Sequence, residues 1–358
     1  MGIVRKYLPA GTRDLIFEEA ASVRNLDNRL MNLYLTLGFR PIETPVLEYY
    51  DVFNHEKRYI SEKSIFKLSD QEGRLVALRP DNTSPVIRVV LSKLKDADYP
   101  LKICYSQPIF RNHIAFHAKK SQILQSGIEI IGGNKQEEDL RCLFTSLACL
   151  RMCGSDYKLE IGNARFFDTL VAGFSISEQE RNDLRTLMAA KNSGGYSFAL
   201  NMTNPIVLKL ARELPRLCGS PRQVLIRARA LVQDNRDSLS ILDELETVCS
   251  TFSGTEFEDK IILDLGIVQK INYYTGLVFR GYVSGIGEAV LSGGRYDDLM
   301  QSFGADLSAC GFGINVSDLS ELCRTPIPRV PDLSFREGQN SIKNALDYLN
   351  GIQGDTSC

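Results

Sequence analysis

Two side chains in the segment LRPDNT, residues 78–83, have the chemistry to hold an amino group. Asp81 and Thr83 lie two residues apart at a turn between a predicted strand and a predicted helix. On such a turn, a carboxylate and a hydroxyl can both accept hydrogen bonds from one ligand ammonium group. The same residues can instead cap the helix that the pattern predicts at about residues 84–95. Ligand binding and helix capping both remain open at this point.

A second pair of polar residues lies on a predicted strand. Gln125 and Glu129 are four residues apart in QILQSGIEIIG, and side chains alternate between the two faces of a strand, so both point to the same face. A buried carboxylate needs a partner or a ligand, because an unpaired charge in the protein interior is costly. Glu129 therefore either faces a ligand or forms an ion pair with Arg111.

A third group of candidates lies near the end of the chain. Tyr273 and Tyr274 in NYYTG point to opposite faces if the segment is extended, so one can pack in the core while the other offers its hydroxyl to a polar ligand. Arg295 follows in GGRYDDL, where it is either a ligand clamp or the structural ion-pair partner of Asp297 or Asp298.

The composition excludes several classes of protein. The 358 residues carry 42 Lys and Arg against 44 Asp and Glu, and the resulting net charge of −2 argues against a large phosphate-binding surface for tRNA or DNA. No apolar run is long enough for a signal peptide or a membrane span, so we expect a cytoplasmic protein. The nine cysteines include no CxxC pair, which favours reduced thiols. His113 and His117 are four residues apart without further ligands in register, so we predict no metal site.

The elements that position these residues follow from periodicity and from turn signals. Leucines at positions 26, 30, 33 and 37, followed by Gly38, predict a helix over residues 16–37. The next segment contains Pro41 and Pro45, so it is typical of an edge strand. Strand and helix signals then alternate as far as KLEIGN, with a hairpin at residues 65–79, and predict one mixed, largely antiparallel sheet with helices against it.

The pattern changes in the middle of the chain. Residues 166–253 have helical periodicity that is broken by NSGG and by CGSP, and strand signals return in KIILDLG, GLVFRGYV, EAVLSGG and ACGFGINV. We therefore predict an α+β fold with a discontinuous core of residues 1–165 and 254–325, a helical insertion at 166–253 and a short C-terminal tail at 326–358.

Several motifs, taken in order, resemble the catalytic core of histidyl-tRNA synthetase, a class II aminoacyl-tRNA synthetase. They are LPAGTRDL, LRPDNT, FRN…Q…SGIE, NYYTGLVF, GGRYDDL and ACGF, and the resemblance spans about residues 8–163 and 260–319. It implies a mostly antiparallel sheet flanked by helices, with a histidine pocket. By the family pattern, Asp81 (usually Glu), Thr83 and Gln125 would hold the amino group, while Glu129 and Tyr274 would face the imidazole. The predicted pocket also includes Arg111, Tyr273 and Arg295.

The resemblance fails at positions that serve the nucleotide in the synthetases. Arg111 is kept, but the family's Glu two residues later is His113, a catalytic Arg is replaced by Gln269, and the Arg of the last motif is replaced by Asp318. A carboxylate in place of that arginine would repel a triphosphate by about 4 kcal/mol at ~4 Å and an effective dielectric constant near 20. Adenylate formation needs positioned cations, so we predict that this activity is lost.

The 39 residues beyond Leu319 are also too few for the anticodon-binding domain of a synthetase. Together these features resemble the regulatory subunits of ATP phosphoribosyltransferase, which are paralogues of histidyl-tRNA synthetase. The resemblance implies a short-form catalytic subunit as partner, histidine as feedback effector in the first step of histidine biosynthesis, and a homodimer within a larger hetero-oligomer. It implies no catalysis by this chain, no cofactor, no tRNA and no membrane. Two alternatives stay open: a tRNA-independent paralogue that activates an amino acid, and a tRNA-sensing module.

Overall fold

The computed structural model describes residues 7–54, 60–112, 120–154, 156–190, 204–232, 235–267 and 274–324. Within these ranges the strands are β1 (Arg40–Pro41), β2 (Leu47–Tyr49), β3 (Lys67–Ser69), β4 (Leu75–Leu78), β5 (Leu101–Phe110), β6 (Gln122–Ile131), β7 (Tyr157–Asn163), β8 (Cys218–Gly219), β9 (Ile261–Asp264), β10 (Leu277–Val283), β11 (Leu291–Arg295) and β12 (Ala309–Asn315). The helices are α1 (Phe17–Thr36), α2 (Thr83–Lys93), α3 (Lys135–Cys153), α4 (Phe166–Ala172), α5 (Glu178–Ala190), α6 (Pro205–Glu213), α7 (Pro221–Val232), α8 (Arg236–Thr251), α9 (Asp297–Ser302) and α10 (Val316–Leu319).

Nine of these strands form one sheet, in the order β1-β5-β6-β12-β11-β10-β7-β9-β8. The pairs β1/β5 and β7/β9 are parallel, and the other neighbouring pairs are antiparallel. A second, three-stranded sheet has the order β2-β4-β3, and its β3/β4 hairpin is the one predicted from the sequence. Pro41 lies in the edge strand β1, where a missing backbone donor is tolerated. The predicted α+β fold with a mostly antiparallel sheet is confirmed.

The two faces of the large sheet have different coverings. Helices α1 and α3 pack on one face against residues such as Cys104, Ile128 and Ile130. Helices α2 and α9 cover part of the other face, where Ile103 and Ile131 contribute to a separate apolar cluster. Side chains alternate between the two faces along a strand, so Ile128 and Ile130 of β6 point to the face that carries α1 and α3, while Glu129 between them points to the opposite face.

The helical character predicted for residues 166–253 is seen in α4 to α8. These helices do not build a separate core, because buried residues of α6, α7 and α8 belong to the same hydrophobic cluster as α1 and α3. The two-residue strand β8 also pairs with β9 at the end of the large sheet. The domain boundaries themselves stay a prediction, and the tail at 326–358 lies outside the described residues. None of the helices in the described ranges is both long and apolar enough to cross a membrane.

Candidate functional site

Glu129 is the centre of a polar site on the face of the sheet that carries α2. Its side chain is 1% exposed, and its carboxylate accepts hydrogen bonds from Thr83 Oγ1 at 2.7 Å, from the Tyr105 hydroxyl at 3.2 Å and from the Tyr296 hydroxyl. Burial raises the pKa of Glu129 to about 8, since the charged form is poorly solvated, and the three hydroxyl donors only partly offset this. Near neutral pH this carboxyl group is therefore poised to gain or lose a proton.

Two glycines of β12 make room for the polar side chains of β6. Gly311 is the register partner of Glu129, and a Cβ at this position would stand 1.9 Å from Glu129 Oε2. A Cβ at Gly313 would stand 2.4 Å from Gln125 Nε2 in the same way. The Gly-x-Gly pattern in ACGFG therefore has a steric cause, because only glycine leaves space for these two side chains.

The first turn of α2 borders the same site. Asn82 is fully buried and donates from Nδ2 to Gln125 Oε1 at 3.1 Å, so both β6 side chains contact the start of this helix. Asp81 Oδ1 accepts from the backbone N–H of Ser84 at 2.8 Å, which is the capping role left open above. Burial raises the pKa of Asp81, and the nearby charge of Arg111 acts in the opposite direction. The Ser84 hydroxyl lies 3.4 Å from Oδ2, so both oxygens of Asp81 contact Ser84, and the carboxyl stays partly exposed near Thr83.

Arg111 does not neutralise Glu129. Its Nε donates to the carbonyl oxygen of Pro80 at 3.1 Å, and among the residues that the structure describes it forms no ion pair with Glu129. Its charge instead opposes the rise that burial causes in the pKa values of Asp81 and Tyr274. The ion-pair interpretation of Glu129 is therefore wrong, and three hydroxyl groups satisfy the carboxyl instead.

Tyr274 lies on the same face as Glu129. Its ring borders Gly294, where a Cβ would stand 2.7 Å from Tyr274 Cδ1, and it packs against the apolar cluster that contains Tyr296. Burial, followed by the charge of Glu129, raises the pKa of the Tyr274 hydroxyl well above its usual value. This hydroxyl therefore stays protonated and keeps a hydrogen to donate.

Arg295 requires a correction. Gly294 pairs with Gly311 on the face of Glu129, so the next residue, Arg295, points to the opposite face, toward α3. There it is 5% exposed, forms ion pairs with Asp139 at 2.8 Å and Asp297 at 3.1 Å, and donates to the carbonyl oxygen of Lys135. Arg295 is a structural residue rather than a ligand of the pocket that we predicted.

Asp318 lies at the other end of β6, at the start of α10. Lys120 Nζ contacts Asp318 Oδ1 at 2.5 Å and Glu321 Oε1 at 2.9 Å, and Asn315 Nδ2 donates to the second oxygen of Asp318. The carboxylate thus binds a neighbouring cation, which the sequence did not indicate. Lys120 reduces the charge that we expected to repel a triphosphate, but it is itself occupied by two carboxylates.

Three predicted positions cannot be placed, because His113, Gln269 and Tyr273 lie outside the described residues. Conversely, three residues of the site were missed at the sequence level: Asn82, Tyr105 and Tyr296. Tyr105 lies two residues before Gln107 on β5, which places both side chains on one face of that strand, but this spacing does not indicate a contact with Glu129.

Another group could be considered for a metal. Glu160, Cys218 and Asp264 place ligand atoms within 4.8 Å of one another. The protein already uses both carboxylates as acceptors, from the Tyr282 hydroxyl at 3.2 Å and from the backbone N–H of Gly266 at 2.7 Å. The absence of a metal therefore stays our prediction.

Comparison with known proteins agrees with this fold. The family model described as histidyl-tRNA synthetase matches residues 11–319, so the chain is a histidyl-tRNA synthetase-like protein. The chain is 38% identical over 356 residues to an ATP phosphoribosyltransferase regulatory subunit of Clostridium novyi, covering 98% of this chain and 83% of that protein. It is 39% identical over 321 residues to the regulatory subunit of Clostridium acetobutylicum, covering 88% and 78%. Within the synthetase-like class, the chain belongs to the family of ATP phosphoribosyltransferase regulatory subunits.

A solved structure supports the same assignment. The crystal structure of an ATP phosphoribosyltransferase regulatory subunit/histidyl-tRNA synthetase from Bacillus halodurans superimposes with a TM-score of 0.81 at 31% identity, covering 90% of this chain and 85% of that one. These relatives are named regulatory subunits, which confirms the prediction that the chain is a regulatory rather than a catalytic protein.

Proposed function

We propose that this chain activates a separate, short-form ATP phosphoribosyltransferase catalytic subunit and reports the concentration of histidine to it. The names of the relatives support the partner, and the site around Glu129 supports the effector. Feedback requires that histidine binds the inhibited and the active assembly with different affinity, typically by about 1–3 kcal/mol. The contacts around Glu129 support the histidine-binding step of this mechanism.

The observation that carries the proposal is the surroundings of Glu129. An imidazole ring offers one N–H donor and one acceptor nitrogen, and a carboxyl group with a pKa of about 8 can complement both. The Tyr274 hydroxyl adds a second polar group on the same face. A purely apolar site, or one with a permanently ionised carboxylate, would not match both ring nitrogens equally well.

The partly exposed groups at the start of α2 suit the amino group of the ligand. Thr83 donates its hydrogen to Glu129, so its lone pairs remain available to an ammonium group. Asp81 accepts from the backbone N–H and the hydroxyl of Ser84, and its partly exposed carboxyl, two residues before Thr83, keeps further lone pairs for a ligand. The hydrogen bond between Thr83 and Glu129 thus joins the part of the site that would bind the amino group to the part that would bind the imidazole.

Loss of nucleotide chemistry is part of the proposal. Asp318 replaces a cation of the synthetases, and its pairing with Lys120 occupies another cation of the same region. A positively charged surface that could stabilise a triphosphate is thereby weakened.

A second function is favoured by Arg111, the one nucleotide-site arginine that is kept. It lies close enough to Asp81 to influence its pKa, so a cation still borders the amino end of the pocket. This supports the alternative of a tRNA-independent, amino-acid-activating paralogue. Histidine-dependent exchange of pyrophosphate into ATP distinguishes the two functions: we expect none, and clear exchange would favour the alternative.

The decisive experiment combines this chain with a short-form catalytic subunit. We expect co-purification, phosphoribosyltransferase activity only in the complex, and inhibition by histidine. The double variant Glu129→Gln, Tyr274→Phe should lose inhibition and calorimetric histidine binding. Glu137→Gln, an exposed change in the first turn of α3, is the control and should keep both. Histidine binding that is unchanged in the double variant would exclude this pocket, and activity without this chain would exclude the activating role.

A further inference from the structure

Two cysteines that are 170 positions apart meet at the C-terminal end of α3. Cys153 is the last residue of this helix, and Cys323 follows α10, shortly after the segment that carries Asp318. Cys323 Sγ lies 3.5 Å from the carbonyl oxygen of Cys153 and donates to it. Both cysteines are reduced in the structure. Their contact joins the end of α3 to the segment that follows α10.

The surroundings of the pair give the two thiols different reactivity. Arg29 donates to the carbonyl oxygen of Met152 at 3.1 Å, which places its guanidinium group beside the end of α3. The adjacent Cys153 thiol, helped by the charge of Arg29, lowers the pKa of Cys323 to about 7. The proximity of Cys323, together with burial, raises the pKa of Cys153 well above its usual value, and the Cys153 thiol itself donates to the carbonyl oxygen of Cys149 at 3.3 Å. Reactive cysteines characteristically lie in such partly exposed, electropositive places, next to a second cysteine.

We propose that Cys153 and Cys323 are a site of reversible disulfide formation. With a peroxide as oxidant, the Cys323 thiolate attacks one peroxide oxygen, the O–O bond breaks, and a sulfenic acid and hydroxide form. The Cys153 sulfur then attacks the Cys323 sulfur, the S–S bond forms, and the sulfenic oxygen leaves as water after receiving a proton. The two sulfurs together lose two electrons, the peroxide gains them, and two waters result. A small dithiol reverses the step by thiol–disulfide exchange.

This pair differs in solvent exposure from a second pair of cysteines in the same protein. Cys142 and Cys310 are also neighbours, since Cys310 adds to the rise in the pKa of the Cys142 thiol, but they are 0% and 1% exposed and lie in the core between α3 and the sheet. Cys153 is 7% exposed, and Cys323 is only half-buried, so an oxidant can reach the second sulfur without unfolding the protein. The deeper pair is therefore a matched internal control.

The bond would restrain the protein at a defined place. It would link the end of α3 to the segment after α10 and so hold that segment against the core. A cross-link over so long a loop removes much conformational freedom from the unfolded chain. We expect the oxidised protein to melt about 5 °C or more above the reduced protein.

The test uses the full chain, reduced and then treated with hydrogen peroxide. Non-reducing peptide mass spectrometry should show a peptide that links Cys153 to Cys323, and dithiothreitol should remove it together with the rise in melting temperature. Cys153→Ser should abolish the linked peptide and leave a sulfenic acid at Cys323 that dimedone traps. Cys310→Ser should leave the linked peptide unchanged. If a variant does not fold, Cys323→Ser tests the same bond at a half-buried position.

Two outcomes would overturn the proposal. The exposed thiol of Cys218 reports that the oxidant has reached the protein. Oxidation of Cys218 without the peptide that links Cys153 to Cys323 would show that the pair does not react. An equal yield of a peptide that links Cys142 to Cys310 would show that the oxidant acts on unfolded protein.

Discussion

Replacement of Glu129 by Gln should stabilise the protein, and the gain should increase with pH. Burial raises the pKa of Glu129 from 4.5 to about 8. A carboxyl whose pKa is higher in the folded than in the unfolded state stabilises the fold at low pH, and this contribution is lost as the pH rises toward the folded-state value. A neutral amide at the same position is free of this pH dependence.

The size of the effect follows from the pKa difference. As the pH rises from about 5.5 to about 8.5, the free energy of unfolding of the wild-type chain should fall by about 3 kcal/mol relative to a chain that lacks this titration. At roughly 2 °C per kcal/mol for a chain of this size, the melting temperature of Glu129→Gln should gain about 6 °C on wild type over this pH range. The stabilisation should accompany weaker histidine binding, since functional groups are often held at a cost in stability.

The assay is thermal unfolding of both proteins at several pH values, followed by calorimetry with histidine. Glu138→Gln provides a matched control, because Glu138 is also a buried carboxylate, but one that accepts a hydrogen bond from Arg141 Nε at 2.8 Å. Removing one partner of that pair should lower stability at both ends of the pH range. A difference between Glu129→Gln and wild type that stays constant from low to high pH would refute the reasoning about Glu129.

Three further predictions follow from the same geometry. Gly311→Ala should abolish histidine binding and lower the free energy of unfolding by about 1–3 kcal/mol, because its Cβ would stand 1.9 Å from Glu129 Oε2. Gly287→Ala, with open space around it, is the control and should change neither quantity. Calorimetric binding and chemical unfolding of both variants check this prediction. Arg295→Met should lower the free energy of unfolding by about 3–5 kcal/mol in chemical denaturation, because it leaves Asp139 without its partner. Histidine affinity of the folded variant should change less than twofold. A large loss of affinity would contradict the structural role of Arg295. Histidine affinity should decrease above about pH 8, as Glu129 ionises and the complex loses the proton that its carboxyl and the imidazole share, and a flat calorimetric pH profile would contradict this.

Much of the fold was predictable because local patterns and burial agree. The leucine spacing of α1, the hairpin of β3 and β4 and the alternation of β6 each reflect a periodicity that the fold preserves. The same alternation correctly placed Gln125 and Glu129 on one face. Helical periodicity also identified the segment from α4 to α8, although it did not reveal that these helices share the core of the sheet.

The partners of the site were harder to predict, because they come from distant parts of the chain. Tyr105 and Tyr296 reach Glu129 from β5 and from the residue before α9, and nothing in either local segment indicates that contact. The error at Arg295 has a simple cause, since a shift of one residue along a strand moves a side chain to the other face. The position of β11 next to β12 decided that face.

The amino-acid sequence by itself determined the types of side chain at this site, their local elements and the absence of the synthetase cations at positions such as Asp318. Propensity and alternation act over a few residues, so the sequence displays them directly. Only the tertiary structure decided that three hydroxyl groups, rather than Arg111, satisfy Glu129, that Gly311 makes room for it, and that Lys120 pairs with Asp318. These facts depend on the register of β6 against β5 and β12, where burial changes both the neighbours and the pKa of a single carboxyl group.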